Sequence, residues 1–136
     1  MATNNERGAV APDDPADLLP ENSVLSLAEY LDMQKAIGDP IRFEIVYRLV
    51  HGGDKSPKEL DEVIDVDDST IHYHLNKLVD VGLVAKRKRT ERGQSGTYTY
   101  YRPTVLGREI LNSGVEELIR REWEFAEAYD SDATGD

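Results

Sequence analysis

An abrupt change of period across residues 69–102 constrains this chain more than any other feature. Ile71, Leu75 and Leu78 recur at i, i+4 and i+7, the spacing of one buried helical face. After Val81-Gly82-Leu83-Val84 come two β-prone runs, residues 83–90 and 97–102, with a Gly- and Ser-containing tip at 93–96 between them. Two such runs around a turn signal read as a hairpin. Between Lys86 and Arg102 the hairpin carries six basic residues, Lys86, Arg87, Lys88, Arg89, Arg92 and Arg102, against the single acid Glu91. The whole chain has 27 Asp plus Glu against 16 Lys plus Arg, a formal net charge of −11. Positive charge gathered on one hairpin of an acidic protein points to the phosphate backbone of nucleic acid. The alternative is a hairpin whose charges only face solvent.

The elements upstream are helices marked by caps and breakers. Residues 26–37 place Leu27, Tyr30, Leu31, Met33 and Ile37 on apolar positions and stop at Gly38-Asp39. Pro40 opens a second helix, where its missing N–H costs nothing, with Ile41, Ile45, Val46 and Leu49 inward and Gly52-Gly53 at its end. Ser56-Pro57-Lys58-Glu59 is a capping box that starts a short third helix with Leu60, Val63 and Ile64 inward. Asp65-Val66-Asp67-Asp68 form a turn, and Ser69-Thr70 lead into a fourth helix that runs to Val79. Thr104 caps a last, long helix over 104–129. Short helix, tight turn, amphipathic helix and basic hairpin follow one another in the order of a winged helix-turn-helix. The fold class expected is therefore mainly α with a β-hairpin, ending in a long C-terminal dimerisation helix.

This reading makes residues 23–130 one domain, preceded by a disordered arm at 1–22 and followed by a flexible tail at 131–136. The arm is polar and interrupted by Pro12, Pro15 and Pro20, although Leu18 and Leu19 can dock on a neighbour. No apolar stretch approaches the roughly 18–20 residues of a membrane span and no basic-then-apolar leader opens the chain, so a cytoplasmic protein without a membrane partner is expected. The absence of cysteine excludes disulfides, thiolate metal sites and thiol redox sensing. Six lysines against ten arginines, within a large acid surplus, resemble the surfaces of proteins from salt-loving microbes; an acidic mesophile is the alternative. No triad spacing, phosphate-cradling glycine loop or paired acids in a cleft suggest an enzyme.

On the fourth helix, the side opposite the apolar stripe collects Ser69, Thr70, Tyr73, Asn76 and Lys77. These hydroxyl, amide and ammonium groups suit base edges and phosphates in the major groove. A polar helix face is often only solvated, and it is the basic hairpin directly after it that favours the groove. His72 lies on the flank, placed for a phosphate or neighbour contact, and His74 lies nearer the core. The two are i and i+2, about 200° apart on a helix, so they share no face and no metal site is expected. In the hairpin, Lys86, Arg87, Lys88, Arg89, Arg92, Gln94 and Ser95 are the candidate DNA contacts. The last helix has more apolar side chains than one packing face needs. A twofold interface is expected from Leu111, Val115, Leu118, Ile119, Trp123 and Ala126 together with Leu27 and Leu31 of the first helix, with Gly114 allowing another helix to approach closely. It would set two recognition helices roughly 34 Å apart, one turn of DNA. A last helix folded back on its own domain is the alternative.

Ile37-Gly38-Asp39-Pro40-Ile41-Arg42-Phe43-Glu44-Ile45 is similar to the opening of ArsR-type regulators. Ser69-Thr70-Ile71-His72-Tyr73-His74-Leu75-Asn76-Lys77-Leu78, followed by Gly82-Leu83-Val84, resembles that family's recognition helix and exit, and the acidic character resembles its haloarchaeal members. The resemblance implies a homodimeric transcription factor on a pseudo-palindromic operator, with Ser69, Thr70, Tyr73 and Lys77 in the groove and Arg89 and Arg92 at the wing. Founding members sense metals through cysteines or through His and Asp near the last helix. This chain has no Cys and no His beyond His74, so metal sensing does not carry over. The family's turn glycine is also missing, and Asp65 is expected to take the left-handed conformation in its place.

The partners expected are double-stranded DNA and a second copy of the chain. A winged-helix protein–protein interaction module of a transcription or chromosome-organising complex is the alternative. Asp65, Asp67 and Asp68 beside the groove-facing residues would repel phosphate. In near-molar salt the Debye length falls to about 3 Å, which mutes both this repulsion and the pull of the basic wing. No cofactor is expected beyond salt cations bridging acidic residues and DNA phosphate, and the salt dependence of binding should be shallow or reversed.

Overall fold

A computed structural model of the chain describes residues 11–90 and 96–127, which divide into two compact units between Asp32 and Met33. In the first unit, within the expected arm, Pro15–Leu18 form a 3-10 turn whose Asp14 side chain accepts the Ala16 N–H. Ser26 Oγ accepts from Glu29 N at 3.1 Å while Glu29 Oε1 accepts from Ser26 N at 2.9 Å, a reciprocal cap on α1, Leu27–Ile37. Leu27 is half-buried and Leu31 exposed.

The second unit buries Met33, Ala36 and Ile37 from the end of α1. It continues through α2 (Pro40–Gly52), α3 (Pro57–Val63), α4 (Asp68–Val81), β1 (Val84–Arg89), β2 (Tyr98–Pro103), α5 (Val105–Asn112) and α6 (Val115–Arg120). Asp39 caps α2 by accepting from the N–H groups of Ile41 and Arg42, and Ile45, Val46 and Leu49 fill the core. The Ser56–Glu59 capping box forms as expected. Leu60 and Ile64 are buried one turn apart, but Val63 is 41% exposed because it falls outside that i, i+4 stripe.

The turn between α3 and α4 departs from expectation. Among the described residues no non-glycine has positive φ, so Asp65 is not left-handed. Ile64 and Asp67 are extended instead, and Val66 N donates to Ile64 O at 2.9 Å, closing a three-residue turn that needs no glycine. α4 then runs two residues past its expected end. Ile71, Leu75 and Leu78 are fully buried, each stabilising the fold by about 2 kcal/mol through apolar burial. Gly82, at φ 88°, ends the helix with its own N–H and that of Leu83 both reaching the Leu78 carbonyl.

A compact junction follows. Thr104 N donates to Leu83 O at 3.1 Å, and Thr104 Oγ1 donates to Gly82 O at 2.7 Å while accepting from Gly107 N at 3.0 Å. Thr104 thus caps α5 as expected and also ties it to the exit of α4. A Cβ at Gly107 would lie 2.1 Å from the Leu83 carbonyl oxygen, so only glycine fits here. The hairpin is antiparallel, in register from Val84↔Pro103 to Arg89↔Tyr98. Lys55 adds a one-residue bridge through Lys55 N→Tyr101 O at 3.1 Å and Tyr101 N→Lys55 O at 2.7 Å.

The expected continuous helix over 104–129 is broken. α5 stops at Asn112, and Gly114 takes φ −109°, ψ −127°, outside the helical region. A Cβ there would lie 2.5 Å from Ile110 O, so this glycine serves a kink in its own backbone and not the approach of another helix. α6 ends at Arg120, with Arg121 as its cap, and residues 122–127 are helical again. Leu111, expected at a dimer interface, is only 1% exposed, because α5 turns that face onto α2 and β2 in its own core. Val115, Leu118, Ile119, Trp123 and Ala126 are exposed. The tail and Tyr129 lie outside the described residues. No helix among the described residues is long and apolar enough to cross a membrane.

Gly107→Ala should lower unfolding stability by about 2 kcal/mol or more, since the new methyl overlaps backbone that cannot yield locally. Urea unfolding followed by circular dichroism measures this, and an unchanged midpoint would contradict the close approach.

Candidate nucleic-acid interface

The outward face of α4 exposes Ser69, His72, Tyr73, Asn76 and Lys77, with Thr70 half-buried. Its N-terminus is pinned by Asp67, whose Oδ1 accepts from Thr70 N at 3.0 Å and from Ser69 Oγ at 3.4 Å. Hydrogen bonds from Thr70, with a smaller one from Ser69, hold the Asp67 carboxyl below the usual carboxylate range. Asp67 and Asp68 sit where the helix dipole favours negative charge. The acids beside the candidate groove face are thus part of what starts the helix. His72 Nδ1 lies 3.1 Å from Asp68 O and 3.5 Å from Asp68 Oδ2, a contact with its own helix.

Tyr73 is 55% exposed. Its ring stands edge-on to His74 at 5.1 Å between centroids and 71° between planes, and Lys77 Nζ lies 5.5 Å from its centroid. His74 itself is 8% exposed, at the core edge as expected. Behind it, Arg42 NH1 lies 2.9 Å from His74 Nδ1, and Arg42 Nε donates to Ala36 O at 2.8 Å. Arginine only donates, so Nδ1 accepts and the ring is the neutral tautomer with its proton on Nε2. Burial, first, and the Arg42 charge push the His74 pKa down against the opposing pull of Asp39. The Asp39 carboxyl would be raised by burial, but the N–H groups of Arg42 and Ile41 and the Arg42 charge outweigh that and hold it low.

The hairpin has two chemically distinct faces, because cross-strand partners share a side and neighbours along a strand alternate. Val84 with Pro103, Lys86 with Tyr101 and Lys88 with Thr99 form one face, rooted in the core by buried Val84, Tyr101 and Pro103. Burial raises the Tyr101 phenol pKa. Ala85 with Arg102, Arg87 with Tyr100 and Arg89 with Tyr98 form the other face. There the Arg89 guanidinium lies 4.6 Å from the Tyr100 ring centroid and 5.4 Å from that of Tyr98, and Arg89 Nε donates to Tyr98 Oη at 2.8 Å. Arg102 pairs with Asp54 at 4.0 Å. Lys86, Arg87 and Lys88 are exposed. Arg92, Gln94 and Ser95 lie outside the described residues. The polar face of α4 and the basic hairpin are therefore joined through Gly82 and Leu83, with β2 held between β1 and the Lys55 bridge and tied down at its end by Thr104.

Sequence reasoning did not find the Arg42–His74 contact, and nothing local signals it. It also missed the Lys55 bridge, a single residue without periodicity.

Residues 37–87 match a family described as a helix-turn-helix domain. The chain is 35% identical over 75 residues to the arsenical resistance operon repressor of Bacillus subtilis, covering 55% of this chain and 66% of that protein, just under two thirds of its length. Among solved structures it is similar to an ArsR-like transcriptional regulator from Rhodococcus sp. RHA1, at 27% identity and TM-score 0.51, covering 76% of this chain and 89% of the other. It is also similar to the homodimeric winged helix-turn-helix DNA-binding domain of a possible ArsR-family regulator from Mycobacterium bovis, at 22% identity and TM-score 0.59, covering 85% and 94%. The fold is a winged helix-turn-helix, with α3 and α4 as the helix-turn-helix and the β1–β2 hairpin as the wing.

The low His74 pKa has a consequence for stability. Its ordinary value is 6.5, so the unfolded chain takes up this proton before the folded one does. The stability gained from neutral His74 is complete above that value and is lost as pH falls through it toward the folded pKa. Urea unfolding from about pH 7 to about pH 5 should therefore show a shallower loss in His74→Asn than in the parent chain. Parallel slopes would show that the imidazole is not held neutral.

Proposed function

We propose that the chain is a sequence-specific regulator of transcription that binds double-stranded DNA as a homodimer on a pseudo-palindromic site. α4 enters the major groove, and the hairpin grips flanking backbone or minor groove. The observation that carries this reading is the split of α4 into a fully buried stripe, Ile71, Leu75 and Leu78, and an exposed row, Ser69, Tyr73, Asn76 and Lys77, directly continuous with an exposed basic hairpin. A docking wing of an interaction module would be apolar, whereas this one presents Lys86, Arg87 and Lys88 to solvent. Descriptions of similar proteins as a repressor and an ArsR-like regulator support the same reading. The exposed apolar side chains Val115, Leu118, Ile119 and Trp123, the last 77% exposed, support a second copy as partner, and the Mycobacterium bovis domain of the same fold is homodimeric.

The acid surplus and the scarcity of lysine support a salt-rich interior, in the manner of haloarchaeal ArsR-type regulators. There Asp65 and Asp68 meet phosphate through shared cations, and the wing orients the protein more than it attracts it from a distance.

A panel of duplexes, chosen from a random-sequence pool by the parent protein and titrated over a salt series, tests this reading. Tyr73→Ala and Lys77→Ala should relax sequence preference by about 1–3 kcal/mol at the bases they meet, whereas Arg89→Ala and Arg92→Ala should weaken all duplexes alike. The slope of log K against log salt should be shallow or reversed. The opposite division of effects would reverse the roles assigned to α4 and the wing, and a steep negative slope would remove the high-salt reading.

A further inference from the structure

The side chains that α4 offers to DNA are braced from α2, through the core edge. Ala36 O and the Asp39-capped start of α2 fix Arg42, whose Nε donates to Ala36 O at 2.8 Å. Arg42 NH1 meets His74 Nδ1 at 2.9 Å. His74 then abuts the Tyr73 ring edge-on at 5.1 Å between centroids, and Lys77 Nζ lies over the same ring, 5.5 Å from its centroid. We propose that Arg42 and His74 are positioning residues for base recognition, holding Tyr73, and Lys77 through it, in the orientation that meets the groove. This rests on the DNA-binding role of α4 proposed above and adds the element that gives that role its geometry.

The physical reason is entropic. A half-exposed tyrosine and a lysine have many rotamers, and DNA binding must fix them at a cost of about 0.5–1.5 kcal/mol per side chain. A ring already braced against a buried imidazole has less freedom to lose. The imidazole is fixed in turn by a planar guanidinium whose two donors point in set directions, which a lysine ammonium does not reproduce.

The same chain of contacts makes recognition dependent on the proton state of His74. Protonation removes the Nδ1 lone pair and turns an N–H toward Arg42, so the contact is lost and two cations face each other. Among the described residues the charges acting on His74 are Asp39 and Arg42, both at the N-terminal end of α2, and Tyr73 flanks it from α4. Discrimination between sequences should therefore fall in mild acid, while backbone attraction does not fall with it.

A double-mutant cycle on the full chain tests the relay. The readout is the ratio of affinities for a duplex selected from a random-sequence pool and for poly(dI-dC). Arg42→Met should lower this ratio about tenfold in the parent background and have little further effect in the Tyr73→Ala background. Equal losses in both backgrounds would overturn the relay and leave Arg42 a general scaffold residue. If Tyr73→Ala itself leaves the ratio unchanged, the recognition role of Tyr73 fails, and the relay with it. Should Arg42→Met not fold, two measurements decide the matter. Nitrogen NMR of the parent chain should show His74 as the Nε2–H tautomer. The affinity ratio should fall below the ordinary imidazole pKa in the parent chain and stay level in His74→Asn, which keeps an acceptor near the Nδ1 position without titrating. An Nδ1–H tautomer, or the same acid loss in His74→Asn, would overturn the proposal.

Discussion

Two backbone carbonyls, those of Gly82 and Leu83, hold the functional parts of this domain in one arrangement. Thr104 occupies both, its hydroxyl at Gly82 O and its N–H at Leu83 O, and Gly107 brings the start of α5 against the same Leu83 oxygen. Each hydrogen bond contributes only about 1 kcal/mol net. What they do jointly is geometric. The exit of α4, the first strand of the wing, the end of the second strand and the first turn of α5 meet within a few residues. The angle between α4 and the wing then follows from contacts that leave no room for a side chain at Gly107. Lys55 supports the arrangement from the other side by bonding to both backbone groups of Tyr101.

Electrostatics within this frame is local. Asp67 and Asp68, which looked like an obstacle to DNA binding, cap and charge the N-terminus of α4 and so have a structural role whether or not DNA is present. Among the described residues the wing separates its cations by type. Lys86 and Lys88 share a face with the core-facing residues, and Arg87, Arg89 and Arg102 share the other with Tyr98 and Tyr100. Arg89 laid over two aromatic rings has a defined position worth about 0.5–1 kcal/mol at an exposed site. A charge fixed in this way orients a bound backbone better than a freely rotating one.

Much of this was legible in the sequence because the signals are short-range. Pro40 and Ser56-Pro57-Lys58-Glu59 start their helices where expected, since such start signals depend only on residues two or three positions away. The outward polar face of α4 was legible for a related reason: once Ile71, Leu75 and Leu78 define the buried side, helical geometry dictates which residues face out. Features set by distant partners were not legible. Arg42 and His74 are 32 residues apart, and neither has an unusual neighbourhood in sequence. Leu111 counts as apolar whether it faces its own core or another copy, so composition could not assign it. Gly114 has apolar residues on both sides, the pattern of a packing glycine, whereas its backbone ends a helix. Asp65 stands where a family glycine would take the left-handed state, but the chain closes that turn through the Val66 N–H.

In the proposed complex, α4 and the wing of two copies read one duplex together. Hydroxyl-radical and base-methylation footprinting on a duplex selected by the full chain tests this most directly. Two major-groove protections about one helical turn apart, roughly 34 Å, each flanked by a protected stretch of backbone at the wing, are the predicted result. A single unpaired protection, or uniform protection without sequence boundaries, would contradict it.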